Sequence, residues 1–104
     1  MYIMIKLIHI LVATDKIHKY TAIFEKDGKR LKVHFGATGY NDYIKYSKTD
    51  AKIAKSKKDA YIARHSVREN FNDPLTAGAL SRWILWNKET LQDSIADYKR
   101  RFNF

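Results

Sequence analysis

Hydrophobic and polar residues along this chain change period once, from two to about three and a half, and the change divides it. Residues 2–13 hold mostly Ile, Leu and Val, interrupted only by Lys6 and His9. A run apolar on both faces of an extended chain predicts a strand central in its sheet. Asp15-Lys16 reads as a turn. Apolar and polar positions then alternate on either side of Lys26-Asp27-Gly28-Lys29. Asp-Gly between two β-rich runs predicts a two-residue type I′ hairpin. With Asp27 and Gly28 as the turn, Glu25 faces Arg30, Phe24 faces Leu31, Ala22 faces Val33 and Tyr20 faces Phe35. One hairpin face then carries Tyr20, Ala22, Phe24, Leu31, Val33 and Phe35. The other carries Thr21, Ile23, Glu25, Arg30, Lys32 and His34, a basic outer face on a half-buried sheet.

Gly36-Ala37-Thr38-Gly39 closes this region as a plain turn, and Tyr40 to Tyr46 reads as a short extended piece. From about Asp50 to Glu69, Ala and Lys are frequent and Gly and Pro are absent, which favours helix. Its apolar periodicity is weak, because Lys52, Lys55, Lys57 and Lys58 spread around the axis. Asn70 to Leu75, with Asp73-Pro74, is a stop. A second helix is predicted from Thr76 to Trp86, burying Leu80, Trp83 and Ile84, with Gly78 in its first turn. Thr90 to Asp93 is a capping-box variant. Leu91, Ile95, Tyr98 and Phe102 then share one face of a third helix, with Lys99, Arg100 and Arg101 at its negative end. The expected fold is α+β: an N-terminal antiparallel sheet of about three strands packed by about three C-terminal helices. We read 1–104 as one domain, 1–46 its sheet portion and 47–104 its helical portion, since 104 residues suit one core.

Composition narrows the chemistry. With no cysteine, disulfides and thiolate sites are excluded. His9, His18, His34 and His65 show no paired metal spacing. Ser66 and Ser81 lack a nucleophile-elbow context. Gly36-x-x-Gly39 lacks the Gly-Lys-Ser/Thr ending of a phosphate-binding loop. No metal, cofactor or catalytic residue is assigned and the chain reads as a non-enzyme; catalysis by His34 or His65 is the weakest reading. The first 13 residues are too short to span a bilayer and lack clear signal-peptide features, so we expect an intracellular soluble protein with no membrane partner.

Charge supplies the positive argument. Lys and Arg outnumber Asp and Glu by 20 to 11, a formal net charge of +9. The excess is uneven. Residues 41–70 hold eight basic residues against four acidic, whereas residues 71–104 hold five against four. A local positive field attracts polyanions. The candidate nucleic-acid-binding set is therefore Lys45, Lys48, Lys52, Lys55, Lys57, Lys58, Arg64, His65 and Arg68. Flexible lysines suit phosphate contacts, which carry affinity without sequence readout. Tyr43, Tyr46 and Tyr61 interleave with them and offer stacking surfaces. Arg64 and Arg68 are i,i+4 neighbours, spaced to grip one phosphate, an acidic partner or Asp73 of the chain itself. Arg82 beside Trp83 and Trp86 offers a basic-aromatic patch, although tryptophans at helical spacing more often belong to a core. The expected partner is the phosphate backbone of DNA or RNA. The alternative is a protein-interaction module whose basic face meets acidic partners.

An ordered string of motifs resembles one family. It runs from His34-Phe35-Gly36-Ala37-x-Gly39-Tyr40-x-Asp42-Tyr43 to Tyr61-x-x-Arg64-His65-x-x-Arg68-Glu69. Asp73-Pro74, Thr76-Ala77-Gly78 and Ser81-Arg82-Trp83-x-Leu85-Trp86 follow, and Ser94-Ile95-x-Asp97-Tyr98-x-x-Arg101-Phe102 closes it. Over about residues 32–102 the chain resembles the small basic proteins of unknown function encoded by large nucleocytoplasmic DNA viruses of algae and protists. Phe71 departs from the pattern, where Trp is expected. The resemblance implies a viral origin and a place in the host cytoplasm, viral factory or virion, with genome-associated or minor virion structural roles. It implies no activity and no catalytic residue.

Overall fold

The Asp-Gly turn organises the sheet. In the computed structural model, which describes residues 4–104, Asp27 and Gly28 both take positive φ, 51° and 79°, as a type I′ turn requires. They join β2 (His18–Lys26) to β3 (Lys29–Ala37), and every pairing expected from the turn is present, from Glu25↔Arg30 to Tyr20↔Phe35. β1 (Ile5–Val12) pairs antiparallel with β2, giving the order β1-β2-β3. The expectation that the first strand is central is corrected: β2 is central and β1 lies at an edge. The chain turns back at once through Asp15, whose carboxylate accepts from the Ile17 and His18 amides at 2.9 Å each. No later described segment is extended beside β1. The part of that predicted strand falling on residues 1–3 lies outside the described residues.

The expected extended piece at Tyr40–Tyr46 is corrected too. Asp42 accepts from the Lys45 amide at 3.0 Å and caps a short helix, α1 (Tyr43–Ser47). Asp50 caps α2 (Ala51–His65) by accepting from the Lys52 and Ile53 amides. This helix ends at His65, four residues before the predicted Glu69. Thr76 accepts from the Ala79 amide and opens α3 (Ala77–Leu80), which widens directly into a π-helical turn, Ser81–Leu85. The Trp86 amide reaches back to the Ser81 carbonyl at 3.0 Å. Thr90 caps α4 (Leu91–Phe102) as its sequence predicted, and Asn103 ends it in the left-handed conformation.

One sheet face meets these helices. Leu7, Ala22, Phe24 and Phe35 pack with Leu80, Ile84, Leu85 and Tyr98 in a single buried cluster. Burying these apolar side chains removes the surface that drives folding. The Tyr98 hydroxyl, inside that cluster, donates to the Pro74 carbonyl at 2.7 Å, so the Asp73-Pro74 stop is tied to the core. The opposite sheet face keeps Lys6, His9, Arg30, Lys32 and His34 exposed. Among the described residues no helix is long and apolar enough to cross a membrane.

Candidate functional site

Helix α2 buries few side chains, chiefly Ala54 and Tyr61, and Tyr61 determines what lies beside it. Its ring is sandwiched between Trp86, with centroids 4.5 Å apart and planes 7° from parallel, and His65, at 4.2 Å and 26°. Tyr46 from α1 packs against Trp86 as well, tilted, with centroids 6.3 Å apart. The column is assembled from three sources: α1, one face of α2, and the residue that ends the π-helical turn. The extra residue in a π turn re-aims the side chains that follow it, here Trp86.

This column lines a cleft of about 650 Å³ together with the start of β2, the end of β3 and the loop after it, and α3. A volume of that size accommodates a small ligand. Tyr40 on that loop lines the cleft and is 72% exposed. Gly36 lies at its edge, where a Cβ would come within 2.7 Å of Leu85 Cδ1; the strand end and the π turn touch there. Lys57 and Arg64, one α-helical repeat of seven residues apart, line the cleft together. Neither makes an ion pair among the described residues. The other lining cation, Lys19, is neutralised by Asp42 at 2.7 Å.

His65 Nδ1 lies 3.3 Å from Glu69 Oε1, while Glu69 Oε2 is buried without a hydrogen-bond partner against Gly78. Burial pushes the Tyr61 hydroxyl up to about 12, reinforced by the Glu69 carboxylate. Near neutral pH that phenol stays protonated and acts as a packing surface. His34 has a different setting: Nδ1 is 2.7 Å from Thr21 Oγ1 and the ring stacks on His18 at 5.6 Å. His18 is in turn 2.6 Å from Asp15, whose carboxyl sits well below its ordinary value because the His18 amide, the His18 ring and the Ile17 amide all donate to it. Among the described residues no group of three or more His, Asp or Glu could hold a metal ion.

The structure sorts the nine candidate binding residues. Lys57, Arg64 and His65 come together at the cleft. Lys45 and Lys48 line a second hollow of about 640 Å³, on the α1 side toward the start of α4. Lys52 and Lys55 lie about 140–160° around α2 from Lys57, at about 100° per residue, and Lys55 pairs with Asp59 at 3.0 Å. Lys58 turns inward. It donates to the Asn87 carbonyl at 2.8 Å, lies over the Tyr43 ring at 4.6 Å, and has its ammonium pKa lowered by burial and by the Arg82 and Lys88 charges. Arg68 is exposed beyond the helix end and makes no ion pair among the described residues.

The tyrosines and tryptophans also divide. Tyr43 and Tyr46 are half-buried and Tyr61 is buried, so none of the three is a free platform. Trp83 is half-buried, donates Nε1–H to the Phe71 carbonyl at 2.8 Å, and has guanidinium groups near its ring, Arg82 at 4.1 Å and Arg101 at 3.7 Å. Charge counting overlooked Tyr40 and Glu69. Their signal was contextual: an aromatic next to a glycine turn, and an acid four residues after His65. Comparisons of the chain with protein-family models, curated proteins and solved structures give no match.

Proposed function

We propose that this protein binds nucleic acid without catalysis and with little sequence preference, and that it favours a single strand. Carrying this reading is a single juxtaposition: two cations without carboxylate partners among the described residues, Lys57 and Arg64, at a cleft walled by a three-ring stack and faced by the exposed Tyr40. Unpaired cations attract phosphates, and the exposed Tyr40 ring can accept any base, because every base has a π face, while the stacked rings form the wall behind it. A duplex keeps its bases stacked inside and uses only the cations. The ordered motifs between His34 and Phe102 give the proposal its setting, association with a viral genome.

The test is a titration of labelled single-stranded DNA, RNA and duplex at several salt concentrations. Replacing Lys57 and Arg64 together by Gln should flatten the log–log salt slope for single strands by about 1.4, at about 0.7 per phosphate. The matching pair Lys52→Gln and Lys55→Gln should change it less. Tyr40→Ala should weaken single-strand binding by about 1–3 kcal/mol and leave duplex binding unchanged. Absence of binding to any polyanion at about 0.15 M salt, where the screening length is about 8 Å, would sink the proposal. Equal losses from the two Gln pairs would sink its cleft.

A further inference from the structure

The two edges of the sheet are built differently. β3 presents Lys29, Arg30, Lys32 and His34, all exposed, the kind of charged fringe that keeps an edge from pairing. β1 holds one formal charge, Lys6, in Ile5-Lys6-Leu7-Ile8-His9-Ile10-Leu11-Val12. Among the described residues its backbone pairs with β2 alone. Leu11 and Val12 are left 46% and 76% exposed. A strand with the composition of a sheet interior thus has a neighbour on one side only.

The irregularity within β1 adds a second observation. Pairing passes from Leu7↔Phe24 to His9↔Ile23, with Ile8 left over as a bulge, and the extra residue reverses the side-to-side alternation. Ile5, Leu7, Ile10 and Val12 stand opposite Lys26, Phe24, Ala22 and Tyr20, in the strand parity that faces the helices. Lys6, His9 and Leu11 stand opposite Glu25, Ile23 and Thr21, on the open side. Read forward from Ile5 or backward from Val12, the sides occur in the same order. Directly opposed residues of an antiparallel pair point to the same face. Two copies laid Ile5 against Val12 therefore match helix side to helix side at Ile5–Val12 and Leu7–Ile10. Open side meets open side at Lys6–Leu11. Each Lys6 meets a leucine rather than another lysine, and the two bulges flank the twofold axis.

We propose that β1 is a self-association edge through which two copies pair antiparallel over Ile5–Val12, joining their sheets into one six-stranded sheet. Such an interface is isologous, one patch serving both copies, and it covers Leu11 and Val12. It stands apart from the nucleic-acid reading, since the cleft lies at the end of β3, on the far side of the sheet.

Sedimentation of the full chain from about 1 μM to about 1 mM should show the mass rising from 12.2 kDa toward twice that value. Leu11→Lys places lysines face to face at both Lys6 contacts and should weaken the dimer at least about tenfold, while circular dichroism of the monomer stays unchanged. Leu11→Glu, facing Lys6 instead, should retain the dimer. Lys32→Glu on the other edge should have no effect. A chain that stays at 12.2 kDa throughout the range, or a dimer that tolerates Leu11→Lys, overturns the proposal. Equal disruption by Lys and Glu overturns it as well.

Discussion

Asp97 shows how one buried acid is held ionised in this protein. Its residue is 8% exposed, and burial by itself would raise its pKa. The Asn87 amide at 2.6 Å, the Arg101 guanidinium and Arg100, each arginine at 3.3 Å, outweigh burial and leave the carboxyl below its ordinary 3.8. The pKa is thus lower in the folded chain than in the unfolded one. The resulting stabilisation is complete above the unfolded value of about 3.9 and is lost as pH falls through the folded value. Asp97→Asn should therefore cost about 1–3 kcal/mol at neutral pH, the penalty for leaving the buried Asn87 amide poorly satisfied and the two exposed arginines without their carboxylate. That cost should shrink below about pH 4. Urea denaturation of both proteins at pH 7 and at successively lower pH checks this, and a pH-independent difference would remove the carboxylate from the account. None of this was legible in the sequence: Asn87 lies ten residues away across the loop before α4, whereas the adjacent Arg100 and Arg101 suggested only a helix-end charge effect.

At the scale of elements, the sequence was most informative where a local rule was strict. A type I′ turn needs two positive φ angles, so Asp27-Gly28 defined the pairing of β2 and β3 without reference to the rest of the fold. The periodicity and Thr90 cap of α4 likewise needed nothing distant. Helix α1 was missed because five residues carry too little periodicity, and its cap Asp42 also serves Lys19 from another element. β1 was misplaced for a different reason: a hydrophobic pattern reports burial on two faces, not the number of neighbouring strands. The site was half legible. Charge density pointed to α2, but choosing Lys57 and Arg64 over Lys52 and Lys55 required knowing that Tyr61 faces inward. The glycines provide a comparison between elements. Gly28 has φ +79°, and a Cβ added there would meet nothing within 4 Å, so Gly28→Ala incurs backbone strain alone, about 1 kcal/mol. Gly36 has φ +77°, and its added Cβ would meet Leu85 Cδ1 at 2.7 Å. Gly36→Ala adds overpacking to strain, about 2–4 kcal/mol together. Thermal denaturation of the two variants should rank Gly36→Ala clearly below Gly28→Ala; the reverse order would mean that the strand end and the π turn are not in contact.

At the scale of the molecule, charge acts on folding and on binding with opposite signs. A formal net charge of +9 on 104 residues repels itself in the compact state, and few of its cations are neutralised at close range by carboxylates. Added salt screens that repulsion, so the melting temperature of the free protein should rise between about 0.01 and 0.15 M, as the Debye length falls from about 30 to about 8 Å. A bound single strand should also raise it, because a ligand of the folded state adds RT ln(1 + [L]/Kd), about 2.7 kcal/mol at a hundredfold excess over Kd. The second effect must fade with the same salt that strengthens the first, since binding releases counterions. Melting curves with and without an oligonucleotide should therefore converge as salt rises. Replacing Lys57 and Arg64 by Gln should narrow the gap between them at low salt while preserving the upward trend of the free protein. A gap that persists at high salt would point instead to a ligand held by contacts other than phosphate. A gap unaffected by the double substitution would place the phosphates on the outer lysines of α2 and leave the cleft to some other ligand.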